Sequence, residues 1–498
     1  MSGSEILQTR LIKWMSRKGD LPAVIETATG NSINYFDFSC GVRAVRKLLG
    51  NSPKTLVVTL PGGITDSVIW ISALTGGHLL IPVSPRITDY ELQKVFLYHK
   101  PDLLITDSLD RQFPEKLSIW QANTIEQAIQ EGIRQKDALP VKERTSEGSV
   151  FLSSSGSTGT PKGMRLSAKK IVITAENIAE SHRLTDKDRG LTPLPFHHVN
   201  APIVTLITTI LTGGTVIAAP KYSTTHFWEW VKKYDPTWIS IVPTIVAMLL
   251  KTDKPDFLGK TSLRFIRTAS APLPVVYFER FEKKFGYPLI ETYGVSEAGS
   301  TITANPVPPG VHKAGSVGLP IGVKLRICKV GKSKLTDVTE GSVGEICIKG
   351  ENVIASYDNN LSEDAFRDGW FRTGDLGYQD TDGYVFITGR IKDIIIRGGE
   401  SIAPREIEEL LLTYPGVLET AVVGQADPLY GEKVAGFVVM QEDTRDKAGL
   451  EEKMKQFIQT KLSREKVPAA IHFLDSLPKG NTGKVDKQAL KSYETPLA

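Results

Sequence analysis

The stretch Phe151-Leu-Ser-Ser-Ser-Gly-Ser-Thr-Gly-Thr-Pro-Lys-Gly163 decides how this chain reads. An apolar strand runs into a loop of small hydroxyl and glycine residues, closed by Pro161 and Lys162. Glycines let backbone N–H groups close on an anion, hydroxyls add donors, and the lysine adds charge. In chemical terms the loop is a phosphate cradle. It is not a Walker A loop, because Pro161 stands where GxxxxGK[ST] needs its second glycine. The competing reading is a flexible Ser/Gly surface loop.

Working outward, short apolar runs recur on both sides: TLVVTL, HLLIPV and DLLIT before the loop, then GTVIAA, TWISIV, LRFIRTA and PLIETYG after it. Amphipathic stretches lie between several of them. That alternation predicts α/β layers with largely parallel sheets. From 314 to 388 the pattern changes to VKLRICKV, GEICIKG and GYVFITG, short strands between turn residues, which predict a small β-rich subdomain. After Arg390, APREIEELLLTY and LEEKMKQFIQTKL read as helices and ETAVVGQ and KVAGFVVM as strands, a small α+β domain.

Bulk properties narrow the class. The chain has 498 residues, 41% hydrophobic and 23% charged, with a formal charge of +4 and both signs mixed throughout. No block of like charge marks a nucleic-acid or anionic-membrane surface. Cys40, Cys328 and Cys347 are too few and scattered for a disulfide framework, so the expected compartment is reducing, the cytoplasm. The N-terminal MSGSEILQTRLIKWM lacks the apolar run of a signal peptide and reads as a short amphipathic helix. Val199 to Pro220 carries no charge and is long enough to span a bilayer. Asn200, Pro202, its threonines and Gly213-Gly214 predict instead a buried helix, a turn and the strand TVIAA.

Four more segments carry candidate chemistry. In Tyr293-Gly-Val-Ser-Glu297 an aromatic ring, a hydroxyl and a carboxylate follow the strand PLIE; the plain alternative is a strand followed by a helix cap. A serine-hydrolase elbow needs GxSxG, which Gly-Val-Ser-Glu-Ala does not supply. In Trp370-Phe-Arg-Thr-Gly-Asp-Leu376 a carboxylate suited to two ribose hydroxyls competes with an Asx-turn. Gly389-Arg-Ile-Lys-Asp-Ile-Ile-Ile-Arg-Gly-Gly-Glu400 reads as a strand and turn leading to a helix opened by Pro404. Leu477-Pro-Lys-Gly-Asn-Thr-Gly-Lys484 is a glycine-rich loop carrying a lysine, or a plain tail turn.

Each segment alone is ambiguous, but their order is not. SSSGSTGTPKG, YGVSE, FRTGDL, GRIKDIIIRGGE and NTGK together resemble the adenylate-forming superfamily of acyl-CoA synthetases, adenylation domains and luciferases, over roughly Asp20 to Lys487. YGVSE has serine where threonine is usual and the loop has Ser157 for a common threonine; both keep the hydroxyl.

The resemblance assigns roles. Ser155, Ser157, Thr158, Gly159 and Lys162 would wrap the ATP phosphates. Ser270, Ala271 and Pro272 would lie beside adenine, next to Thr292 and a stacking Tyr293. Ser296 would contact the α-phosphate, Glu297 would bind Mg²⁺, and Asp375 and Arg390 would hold the ribose. Lys484 would bridge the acid and the α-phosphate, with His198 at the mouth of an acyl pocket that includes Val199, Thr244 and Ser300. Residues 1–391 would form the large N-terminal domain and 392–498 a small mobile domain hinged at Lys392, whose rotation brings Gly398-Gly399 to the pantetheine path. The implied reaction makes acyl-AMP and pyrophosphate from ATP, then acyl-CoA and AMP from coenzyme A. Loading of an acyl carrier protein, or amide formation, is the alternative. A regulator that had lost catalysis would be expected to lack Glu297 or Lys484, and both are present.

The acid is partly legible. Amino-acid adenylation domains carry an aspartate after the pocket histidine, but here the run is HHVNAPIVTL, so an α-amino acid is not expected. Malonate-specific relatives have arginine before YG, where this chain has Thr292. HFWEWVKKYDPTWISIVPTIVAML and LRFIRTASAPLP look most like oxalyl-CoA synthetases.

Overall fold

The computed structural model describes residues 1–111, 113–114, 117–140, 146–154, 162–331, 334–358, 363–441, 447–480 and 484–493. Its largest sheet has nine strands, in the order Leu319–Pro320, Ser300–Ala304, Leu289–Val295, Phe265–Thr268, Trp238–Ile241, Arg189–Thr192, Thr215–Ala218, Pro22–Glu26 and Ser32–Asn34. The six from Leu289–Val295 to Pro22–Glu26 run parallel, and antiparallel strands close both edges. Trp238–Ile241 and Phe265–Thr268 are buried at every position. This is the expected pattern for parallel strands covered on both faces, and it explains their unbroken apolar runs.

A second sheet of six strands runs Ser118–Gln121, Leu103–Thr106, Thr55–Thr59, Leu79–Pro82, Ser149–Ser154 and Lys162–Ser167. Its first five strands are parallel, and the last pair is antiparallel with Ser154 opposite Lys162. All eight apolar runs read from the sequence are strands of these two sheets.

Residues 324–390 form an antiparallel sheet of Lys324–Cys328, Gly344–Lys349, Phe366–Arg367, Trp370–Gln379 and Val385–Arg390. The Asx-turn alternative for FRTGDL does not hold. The segment lies inside the strand Trp370–Gln379, where Gly374 takes φ 72° beside a register shift between Glu345 and Cys347. A glycine takes the left-handed φ of the bulge without strain, so a turn-like dipeptide sits within a strand.

The fourth sheet joins Ile395–Arg397, Glu400–Ile402, Val417–Asp427, Gly431–Met440 and Ala470–Phe473, packed with the helices Pro404–Leu412 and Lys447–Gln459. The molecule is thus a mixed α/β chain with a large N-terminal and a small C-terminal domain.

The N-terminal helix Gly3–Lys18 opens with a reciprocal cap between Ser2 and Glu5. The charge-free stretch folds as a wide π-type helix Asn200–Ile207, an α-helical end Thr208–Thr212, a left-handed Gly213 and the strand Thr215–Ala218. Among the described residues no helix is long and apolar enough to cross a membrane.

Candidate active site

The site begins where two strands of the β-rich subdomain place a carboxylate opposite a cation. Asp375 and Arg390 are register partners on Trp370–Gln379 and Val385–Arg390. Arg390 Nε donates to Asp375 Oδ1 at 2.7 Å, and Tyr293 Oη donates to Oδ2 at 2.5 Å. Asp375 is 2% exposed, so each oxygen is held by one partner and keeps a lone pair for another donor. Burial, then the Asp375 charge, hold the Tyr293 phenol well above its usual range, so it stays a donor. The same carboxylate raises the Arg390 guanidinium.

Tyr293 ends the strand Leu289–Val295, and Ser296 and Glu297 follow in a single 3₁₀ turn. The turn leads into the antiparallel strand Ser300–Ala304, so the helix-cap alternative fails. A methyl at Gly294 would lie 1.9 Å from the Ser300 carbonyl oxygen, so only glycine lets these two backbones meet. Tyr357 Oη donates to Glu297 Oε1 at 2.6 Å, and the Ile354 N–H donates to the Glu297 carbonyl at 2.8 Å. The carboxylate is therefore oriented by a phenol that burial and Glu297's own charge keep protonated. Among the described residues no three His, Cys, Asp or Glu cluster as a metal cage. One fixed carboxylate does suit Mg²⁺, which takes few protein ligands and completes its shell with phosphates and water.

A cleft of about 1850 Å³ opens beside Tyr293, Ser296, Asp375 and Arg390, while Glu297 and Tyr357 are not among the described residues that line it. Val199, Thr244, Ser270, Ala271, Pro272, Thr292, Tyr293, Ser296 and Ser300 line it, as do Asp375, Arg390 and Lys392. Ser270 holds φ 77° at the end of the strand Phe265–Thr268 and accepts from Asn200 Nδ2 at 3.1 Å. His198 lies beside this wall. Its imidazole is lowered by burial and then by the charge of Lys484, which favours the neutral ring.

Lys484 enters from the small domain. The Gly480 N–H donates to its carbonyl at 2.8 Å, and Lys479 pairs with Val485 across the loop. Lys484 lines the cleft, and its ammonium is lowered by loss of water first, then by Arg390 and Lys392, with Asp375 opposing. The structure therefore brings Lys484, His198, Asp375 and Arg390 to one place from two domains. Arg405 Nη1 donates to the Ile387 carbonyl at 2.7 Å and the Tyr277 hydroxyl to the Leu418 carbonyl, tying the small domain to the large one in this pose.

Not every candidate joins the cluster. Gly398 and Gly399 are exposed at the tip of the hairpin Ile395–Arg397 and Glu400–Ile402, at φ 58° and 92°, and do not line the cleft. Ser155, Ser157, Thr158 and Gly159 lie outside the described residues, and Lys162 is placed only by its strand register.

Thr301, within the 298–303 segment AGSTIT expected around the acyl group, is joined by residues that the sequence reading passed over as site groups: Arg267, Asn200, Tyr357 and Glu291. Asn200, Thr301 and Glu291 line the cleft, and Arg267 and Tyr357 hold residues of its wall or edge. One signal was available. An arginine inside the otherwise apolar run LRFIRTA, two residues after Phe265, is a charge in a fully buried strand.

Comparison with known proteins gives the context. The family described as AMP-binding enzyme matches residues 11–358, and the AMP-binding enzyme C-terminal domain matches 406–484. A sulfoacetate–CoA ligase of Cupriavidus necator is 35% identical over 89% of this chain and 88% of that protein. An oxalate–CoA ligase of Arabidopsis thaliana is 38% identical over 70% of this chain and 68% of that protein. ATP-bound MatB from Rhodopseudomonas palustris superimposes with a TM-score of 0.86 at 26% identity, covering 99% of this chain and 98% of that one.

Proposed function

The chain belongs to the AMP-binding enzyme family, and from that premise we propose which of its residues carry the reaction. It is an adenylate-forming acid–CoA ligase that uses ATP, Mg²⁺ and coenzyme A. The acid's carboxylate oxygen attacks the α-phosphorus and pyrophosphate leaves. The thiol sulfur then attacks the acyl carbon and AMP leaves. Loading of a carrier protein or amide formation is not favoured, since the relatives are named CoA ligases.

The observation that carries the assignment is the approach of Lys484 to Asp375, Arg390 and His198 across the cleft. Asp375, fixed by Tyr293 and Arg390, takes both ribose hydroxyls, and the Tyr293 ring stacks on adenine beside Ser270, Ala271, Pro272 and Thr292. Ser296 donates to the α-phosphate, while Ser155, Ser157, Thr158, Gly159 and Lys162 wrap the distal phosphates. Glu297, oriented by Tyr357, would hold Mg²⁺, which when bound would neutralise phosphate charge. Lys484 offsets repulsion between the acid and the α-phosphate, the main work of catalysis in phosphorus transfer. Val199, Thr244 and Ser300, which line the cleft, contact the acyl group, with His198 at its mouth near Lys484.

Residues 1–391 and 392–498 act as two bodies hinged at Lys392, and rotation there carries Gly398-Gly399 to the pantetheine path. A cytoplasmic setting fits the three unpaired, buried cysteines. The relatives' names and the sequence likeness to oxalyl-CoA synthetases put short acids first.

The test is product analysis with ATP and Mg²⁺ over a panel of acids, with and without coenzyme A. Acid-dependent pyrophosphate and AMP are expected, with acyl-CoA only when the thiol is added. ADP and an acyl phosphate would refute the assignment.

A further inference from the structure

Arg267 is 0% exposed, yet among the described residues it forms no ion pair. Its Nη1 donates to Asn200 Oδ1 at 3.1 Å and Ser240 Oγ at 3.0 Å. Its Nη2 donates to Thr292 Oγ1 at 2.6 Å and Thr301 Oγ1 at 3.2 Å, and its Nε has no partner. Burying a guanidinium against neutral oxygens alone costs on the order of several kcal/mol relative to water. Burial pushes this one down to about 9, which still leaves it charged at neutral pH. A fold that needed only filler here would do as well with leucine or methionine. The positive charge therefore asks for an anion that the described protein does not supply.

The charge is felt on the side of the cleft. Of its four acceptors, Asn200, Thr292 and Thr301 line the cleft, in the region of Val199, Ser270 and Ser300. Asn200 Oδ1 accepts from both Arg267 and Ser240, which fixes the amide orientation. The reverse orientation would set its NH₂ against the Arg267 N–H, which cannot accept. Asn200 Nδ2 is thus turned to the cleft side, where it donates to Ser270 Oγ at 3.1 Å and keeps a second N–H. Thr292 and Thr301 accept from the guanidinium, so their own hydroxyl hydrogens are turned elsewhere; that of Thr292 reaches the Thr268 carbonyl at 3.3 Å. This wall of the cleft presents N–H and O–H donors backed by a buried cation.

We propose that Asn200 and Thr301, oriented by Arg267, form a subsite for a second oxyanion at the far end of the acid, with Ser270 shared between this wall and the adenine side. The substrate is then a short acid with two anionic groups, the distal one a carboxylate or a sulfonate. One oxyanion reacts at the α-phosphorus beside Lys484, and the other rests on the Arg267-backed wall. Arg267 is a positioning residue, acting through Asn200 and the threonines and through its field. The inference rests on the ligase reading and sharpens its substrate class. It also accounts for Thr292 doing without an arginine of its own, since the cation stands one strand away at Arg267.

The experiment compares kcat/KM for pyrophosphate release with oxalate, malonate and sulfoacetate against acetate and propionate. It uses wild type, Arg267→Met, Arg267→Lys and Asn200→Ala. The wild type should favour at least one dianion over both neutral-tailed acids. Arg267→Met and Asn200→Ala should shrink that preference by roughly 10–100-fold, the loss expected when hydrogen bonds to a charged group disappear. The change should fall mainly on KM, with Arg267→Lys recovering part of it. The preferred arm tells carboxylate from sulfonate.

If the variants slow dianionic and neutral acids by the same factor, Arg267 is structural and the proposal is overturned. A wild type that prefers acetate or propionate overturns it as well. Should Arg267→Met fail to fold, Asn200→Ala decides alone, because that side chain faces the cleft and has no part in the ATP site. If no acid releases pyrophosphate, the ligase reading fails. The subsite then stands or falls on whether dianions raise the thermal midpoint of wild type but not of Asn200→Ala.

Discussion

Asp375 shows how much one side chain owes to its neighbours. It is held by a phenol on one oxygen and a guanidinium on the other, so its remaining lone pairs point in fixed directions. Asp375→Asn keeps the shape but turns one acceptor into a donor and leaves Arg390 without its counter-charge. The KM for ATP should rise roughly 10–100-fold while the KM for the acid changes little. Initial rates against ATP check this, and an unchanged ATP KM would remove Asp375 from the ribose site. Glu291 makes a different kind of prediction. It is fully buried, takes one hydrogen bond from the Leu273 N–H, and among the described residues Oε2 has no partner. Burial raises it from 4.5 to about 7, with Arg405 opposing and Glu409 adding. A raised carboxyl binds its proton more tightly when folded, so this contribution is full below pH 4.5 and is lost as pH rises through about 7. Glu291→Gln should therefore gain on wild type across that window, by up to about 3 kcal/mol at pH 8. Denaturant titrations at several pH values measure it; a difference independent of pH would count against the assignment.

At the level of elements, the YGVSE segment is a close crossing of two strands rather than a helix start. The register shifts between Tyr293 and Gly294, and the Ser300 carbonyl fills the space a Cβ would need. Gly294→Ala must push Ser300–Ala304 away from Leu289–Val295. That displaces Tyr293 and Ser296 at one end and Thr301 at the other. We expect a lower melting temperature together with a loss of adenylation, at a cost of about 1–3 kcal/mol, typical of overpacking. Thermal unfolding and pyrophosphate release on the same sample test it, and a fully active, equally stable variant would contradict the strand contact.

For the whole molecule, the question is which domain pose serves which half-reaction. Lys484 lines the cleft while the Gly398-Gly399 hairpin tip is exposed, which on the proposed two-body reading corresponds to the adenylating pose. Lys484→Ala should slow acyl-AMP formation by roughly 10²–10³, the usual cost of losing one positioned donor at a transition state. Thiolysis of supplied acyl-AMP should survive. Gly399→Leu should do the reverse, since nothing lies within 4 Å of a Cβ there in this pose and the bulk matters only after rotation. Its φ of 92° adds local strain, so a small fall in melting temperature accompanies it. Single-turnover assays of both steps decide; equal slowing of both by each variant would leave one fixed site as the better account.

The sequence by itself determined the α/β class, the eight core strands and the family chemistry. Apolar period and ordered motifs are local properties, written residue by residue. FRTGDL and YGVSE were legible as motifs but not as structure. Whether a Gly-Asp or a Ser-Glu pair turns or continues depends on what the opposite strand leaves open, and that strand is distant in sequence. The Arg267 network was invisible for the same reason. Asn200, Ser240, Arg267, Thr292 and Thr301 are spread over a hundred positions and meet only because neighbouring strands and one helix are stacked side by side. Burial and hydrogen-bond partnership, which turn an ordinary arginine into a buried cation without a counter-ion, are decided by tertiary packing alone.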